Sequence, residues 1–130
     1  MSWVEVFAVL LVSHLAGDFV VQTEWQARNK FGGLGRDRER RRALLSHILT
    51  YTLCYVAALI WLSGDLSAPG LAGIAALIAV PHLIQDDGRL LSAYLASVKG
   101  SRPVPGNLVY VGVDQSLHVL ALFATALIAA

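Results

Sequence analysis

Four long apolar stretches, separated by polar breaks, organise this chain. They run from about Val4 to Val21, Ala43 to Leu62, Leu71 to Leu91 and Leu108 to Ala129. Each is roughly 18–22 residues, the length an α-helix needs to cross a ~30 Å hydrocarbon layer. Strands of a membrane barrel would alternate polar and apolar positions over ~10 residues, and these stretches do not. The pattern predicts an all-α integral membrane protein, a four-transmembrane-helix bundle forming a single domain over residues 1–130. The first stretch does not read as a cleaved signal peptide. No basic segment precedes it, it contains His14 and Asp18, and no small-residue cleavage site follows.

Composition agrees with that reading, because 56% of the 130 residues are hydrophobic, more than an average soluble domain carries. Cys54 is the single cysteine, which excludes an internal disulfide and a thiolate-based zinc site. The net charge of +1 conceals a strong segregation. Arg28, Lys30, Arg36, Arg38, Arg40, Arg41 and Arg42 lie between the first two stretches, and Arg89, Lys99 and Arg102 lie at or after the end of the third. The turn from Ser63 to Gly70 has no basic residue. The positive-inside rule therefore puts the first and third connections in the cytoplasm and both termini outside. The run Arg36–Arg42 is a topology signal that attracts anionic lipid rather than a nucleic-acid surface. Gly32-Gly33-Leu34-Gly35 follows a helix and lacks phosphate-loop spacing, so it reads as a flexible linker.

Ionisable side chains are costly in a bilayer core and face the bundle interior. Here they form a pattern. His14, Asp18 and Gln22 follow one another at intervals of four, as do His82 and Asp86, and Asp114 and His118. His47 stands alone in the second stretch, one turn before Tyr51. Residues four apart share a helix face. In the inferred topology all four histidines, with Asp18, Asp86 and Asp114, fall about 6 to 15 Å from the cytoplasmic helix ends, in one layer. Pro81 removes a helical hydrogen bond just before His82 and predicts a kink there. Asp87 points about 100° away from Asp86, toward interface water or Arg89. Trp3, Trp25 and Tyr110 suit an interfacial aromatic belt.

Imidazoles and carboxylates together suit a divalent metal, zinc before manganese or iron. His14, His47, His82 and His118 are the ligand candidates. Asp18, Asp86 and Asp114 are candidate ligands, orienting partners or the general base of catalysis. Gln22, Arg28, Arg89 and Arg102 are candidate substrate contacts, suited to an anionic or lipid-like substrate. The same residues admit two other roles, passage of a metal ion or protons, and a non-catalytic assembly subunit whose polar layer fixes helix register. Ala72, Gly73 and Ala76 offer a small-residue face for a homo-oligomer.

The segment from His14 to Trp25, HLAGDFVVQTEW, with Ala27-Arg28-Asn29-Lys30 after it, resembles the opening signature of a bacterial membrane family, domain of unknown function 3307. His47, the segment His82–Asp86 and the segment Asp114–His118 extend the resemblance over nearly the whole chain. It implies a multi-pass protein of the bacterial cytoplasmic membrane and supplies no activity. The layout is also similar to small membrane-bound metal-dependent hydrolases, which place His and Asp on several transmembrane helices. That likeness implies a metal-dependent hydrolase without naming a substrate.

Overall fold

Polar caps open most of the helices. Ser2 and Glu5 form a reciprocal capping box at the start of α1 (Trp3–Leu15), and Thr23 and Gln26 form another at α2 (Glu24–Asn29). Asp37, Ser67 and Asn107 cap α3 (Arg38–Leu53), α5 (Ala68–Asp86) and α7 (Leu108–Ala129) with their side chains. The two remaining helices are α4 (Val56–Leu62) and α6 (Arg89–Ser97). The structure is a computed structural model and describes residues 1–102 and 104–130. Among these residues every regular element is a helix.

Three helical stretches are long and apolar enough to cross a membrane: Trp3–Val21, Ala68–Asp86 and Leu108–Ala129. A fourth arises if α3 and α4, bent by 41° at Cys54–Tyr55, count as one span. The sequence predicts that second stretch as one helix over 43–62. No proline or glycine sits at the break. Instead Thr50 returns its hydroxyl to the Ser46 and His47 carbonyls, and Cys54 returns its thiol to Thr50, which competes with the helical ladder.

The expected helix over 71–91 also divides. α5 runs through Pro81 and stops at Asp86, and Gly88 takes a left-handed φ of 74° before α6 begins. A Cβ at Gly88 would stand 2.5 Å from Phe31 Cδ2 and 2.6 Å from the Tyr110 hydroxyl, so both conformation and space require glycine. Asp87 pairs with Arg89 and accepts the Leu34 amide at 2.7 Å, while Gly32 N–H bonds the Asp87 carbonyl at 2.8 Å. The glycine-rich segment 32–35 is thus tied to the end of α5, not a free linker. Tyr110 is buried with Leu91 and Leu95 rather than placed in an aromatic belt.

α1 and α5 both pack on α7, and α3 packs on α5. Polarity is divided lengthwise. One end holds an apolar core of Val6, Leu10, Ala58, Leu62, Ile74, Ile78, Leu122 and Ala126. The other end holds the buried histidines and aspartates. The outside is apolar: Val12, Phe19, Val20, Ile60, Leu120 and Ile128 are each more than half exposed. α6 is amphipathic, burying Leu91 and Leu95 while leaving Leu90, Tyr94 and Val98 open.

Candidate metal centre

Each of the helical spans delivers its polar residues to one place. On α1 the regular helix gives way at Ala16 to a π-helical turn through Val21, with Gln22 N–H bonded to the Gly17 carbonyl five residues back. Wide turns of this kind re-aim side chains and recur at functional sites. This one carries Asp18 into the interior beside His14. Gly17 makes the approach of this turn to α3 possible, since a Cβ there would stand 2.6 Å from Tyr51 Cδ2.

The centre is formed by four atoms from four residues. His47 Nε2 and His82 Nε2 are 3.1 Å apart. Asp18 Oδ1 lies 3.3 Å from each of them, and Asp86 Oδ2 lies 2.8 Å from His47 and 3.1 Å from His82. These are short approaches, yet Asp18 Oδ1 and Asp86 Oδ2 are buried with no aligned hydrogen bond. The two imidazole nitrogens are within hydrogen-bond reach of each other, and both carboxylate oxygens gather beside them. Tetrahedral zinc, with bonds of about 2.0–2.1 Å to nitrogen and oxygen, sets its ligand atoms about 3.3 Å apart. Four of the five separations, 3.1–3.3 Å, are close to that spacing, and the fifth, 2.8 Å, is shorter. The residues present suit a divalent ion held by His47, His82 and Asp86, with Asp18 beside both imidazoles. All four are buried, with His47 fully enclosed.

The remaining sequence candidates surround these four. His14 is fully buried and stacks on His118, with ring centroids 5.5 Å apart. Its two ring nitrogens are engaged by the Tyr51 hydroxyl at 3.1 Å and the Gln115 amide oxygen at 3.0 Å. The group His14, Asp18 and His82 nonetheless has donor atoms close enough to share an ion. His118 and Asp114 form a further such group with Asp86. Gln22 joins the site through its amide. In the orientation that satisfies both ends, its nitrogen donates to the Asp18 carbonyl at 3.2 Å, and its oxygen accepts from Lys30 at 2.8 Å and from His47 at 3.3 Å.

Arg28, Arg89 and Arg102 are not brought to the cluster. Arg28 pairs with Glu24 on the surface, Arg89 pairs with Asp87, and Arg102 is exposed. The cation that does reach it is Lys30, whose Nζ lies 2.9 Å from Asp86 Oδ2. The signal for it was the Thr23-x-x-Gln26 box, which folds residues 24–29 back as α2 and sets Lys30 at its C-terminus. Gln26 anchors this turn by donating to Ser46 on α3 at 3.2 Å. Tyr51 is also part of the site: its ring lies flat on His82, with centroids 3.4 Å apart. Gln115 links three site residues, donating to Asp18 and Asp114 at 3.3 Å each while accepting from His14.

Two openings lead to the cluster. A cleft of about 240 Å³ is lined by Asp18, Gln22, Lys30, Gln85, Asp86, Asp114 and Gln115, with Pro105 and Gly106 at its mouth. A second, mostly apolar groove of about 270 Å³ lies between α5, α6 and α7, against Ile84, Leu90, Leu91, Tyr94 and Leu117. Gln85 and Asp114 belong to both walls.

A family model described as a protein of unknown function (DUF3307) matches residues 6–130. No curated protein and no solved structure matches the chain.

Proposed function

The chain belongs to the DUF3307 family, whose description carries no activity, and from the geometry we propose a membrane-embedded, metal-dependent hydrolase with its site in the cytoplasmic leaflet. The observation that carries this reading is the approach of Asp18 Oδ1 and Asp86 Oδ2, both buried without an aligned hydrogen bond, to His47 Nε2 and His82 Nε2 at 2.8–3.3 Å. A divalent ion bound there, zinc before manganese or iron, supplies Lewis acidity to a water or to a substrate oxygen. The protein's own part is to fix the ligands, keep the site dry and handle the proton. Tyr51 holds the His82 plane by stacking, and Gln115 spans His14, Asp18 and Asp114. Asp114 stands on both opening walls and is the least buried of the three aspartates. That place suits a carboxylate that meets water and substrate as they arrive.

The substrate we propose is an amphiphile that enters from the bilayer. Its polar part faces Gln22 and Lys30 in the cleft, and its apolar part lies along Ile84, Leu90 and Leu117 in the groove. With α3 and α4 taken as one span, the positive-inside rule argues for both connections rich in Arg and Lys on the cytoplasmic side and both chain ends outside. The chain is then a multi-pass protein of a bacterial cytoplasmic membrane. Support comes from the outward-facing apolar side chains and the inward-facing ionisable ones, the polarity a bilayer demands. In a Cys54→Ala background, Asp65→Cys is expected to react with an impermeant maleimide added outside intact spheroplasts, and Arg38→Cys only in inverted vesicles. The reverse pattern would overturn the orientation.

Transport carries less support. Beyond Tyr51 and Tyr55 the interior is the apolar core, and the buried hydroxyls nearby, Ser13 and Thr125, bond back to their own helices. No polar path to the far end exists among the described residues.

Metal analysis tests the main reading. Purified without chelator and loaded with Zn²⁺ or Mn²⁺, the wild type is expected to hold at least about one ion per chain. His82→Ala is expected to lower that severalfold. Less than about 0.2 ion per chain in the loaded wild type would sink the proposal.

A further inference from the structure

We infer that the cluster contains a second cation position, built by His118, Asp114 and the other oxygen of Asp86, and that this position is the one that meets substrate. The inference rests on the hydrolase reading above. Its starting point is the tautomer of His118. Nδ1 lies 2.8 Å from the Asp114 carbonyl oxygen, which can only accept, so Nδ1 carries a proton and donates it. In the neutral ring Nε2 then presents a lone pair. That Nε2 is buried, has no hydrogen-bond partner, and faces Asp86 Oδ1 at 3.6 Å.

Two acceptors facing each other in a buried place need a positive charge between or beside them. The separation is wide for a hydrogen bond, which spans about 2.7–3.2 Å. It is close to the ligand-to-ligand spacing around a bound ion, about 3.3 Å in a tetrahedral site. Asp114 completes a group of three whose donor atoms can share an ion.

Asp86 ties the two positions together. Its Oδ2 faces His47 and His82, while its Oδ1 faces His118. A carboxylate divided in this way bridges paired ions, which in two-metal hydrolytic sites sit about 3.5–4 Å apart. Each position gathers three protein donors, His47, His82 and Asp86 at one and His118, Asp114 and Asp86 at the other. Three protein donors leave an open coordination place, as catalytic ions have. The cleft borders both positions, through Asp18, Asp86 and Asp114, but Asp114 is the one of these that also stands on the wall of the apolar groove. A substrate oxygen arriving along the groove therefore meets the His118 position.

The test is ion stoichiometry of the full-length protein in detergent, loaded with Mn²⁺ and freed of excess by gel filtration. The wild type is expected to hold about two ions per chain and to show the exchange-coupled Mn²⁺ resonance of a bridged pair. His118→Gln and Asp114→Asn, checked for a monodisperse elution profile, are each expected to hold about one, with the coupled signal gone. About one uncoupled ion in the wild type, or two retained in both variants, overturns the second position and leaves the first standing. No ion in the wild type overturns both.

Discussion

Asp86→Ala is expected to empty the metal centre and to cost the fold about 3–5 kcal/mol, the range for removing one partner of a buried ion pair. The reason is the number of buried polar groups that this one side chain faces. Its carboxylate is 1% exposed and lies against Lys30, His47, His82 and His118. Truncation leaves the Lys30 ammonium facing two imidazoles in a place with little water. In detergent the thermal midpoint should fall by more than about 10 °C, at a few degrees per kcal/mol for a chain of this size. The bound metal should fall with it. Lys30→Met in the same background should recover part of the stability, because the unpaired charge is gone, but none of the metal. Unchanged metal content in Asp86→Ala would remove Asp86 from the site.

The second large effect is at a residue with no chemistry of its own. Gly17→Val drives a branched side chain into the Tyr51 ring, where even a Cβ stands 2.6 Å from Cδ2. Overpacking of this kind costs about 1–3 kcal/mol. Tyr51 cannot yield freely, because its ring is stacked on His82 and its hydroxyl contacts both His14 and Tyr55. The displacement is therefore passed to two histidines, and metal affinity is expected to fall at least tenfold, as when groups that orient ligands are lost. Gly17→Ala should give a smaller loss in the same direction. Gly112→Ala, where nothing lies within 4 Å, should change neither property. Isothermal titration with Mn²⁺ separates these outcomes, and equal affinities for Gly17→Val and wild type would refute the coupling.

His82 with Asp86, and Asp114 with His118, were legible in the sequence because residues four apart share a face of an α-helix. His14 with Asp18 was read the same way, and a π-helical turn brings that pair together instead. The charge map added the expectation that they share one layer. Lys30 was not legible in that way, since a residue in a connection has no periodicity to fix its direction. Its place depends on α2 folding back, and α2 depends on the Thr23–Gln26 box and the bond from Gln26 to Ser46. The three arginines weighed as substrate contacts share Lys30's charge but lack such an anchor at the cleft. The break between α3 and α4 was hidden because threonine is compatible with a helix until its hydroxyl takes a carbonyl from the ladder. The stop at Gly88 carried a visible signal, Asp86-Asp87-Gly88-Arg89, within a stretch apolar enough to read as continuous.

The distribution of site residues along the chain has a consequence for how the protein is made. Asp18 and Lys30 come early, His47 and His82 in the middle, and Gln115 and His118 near the end. The bond from His14 to Gln115 joins residues 101 positions apart, and the α1–α7 packing closes only when both helices are present. The chain emerges in the order of synthesis, so α1 waits for almost the whole chain before its polar face finds its partner. A ribosome that stalls before α7 leaves His14 and Asp18 without Gln115, and Asp86 without His118. Such a fragment leaves buried polar groups without their partners. The completed cluster is the last feature the nascent chain acquires.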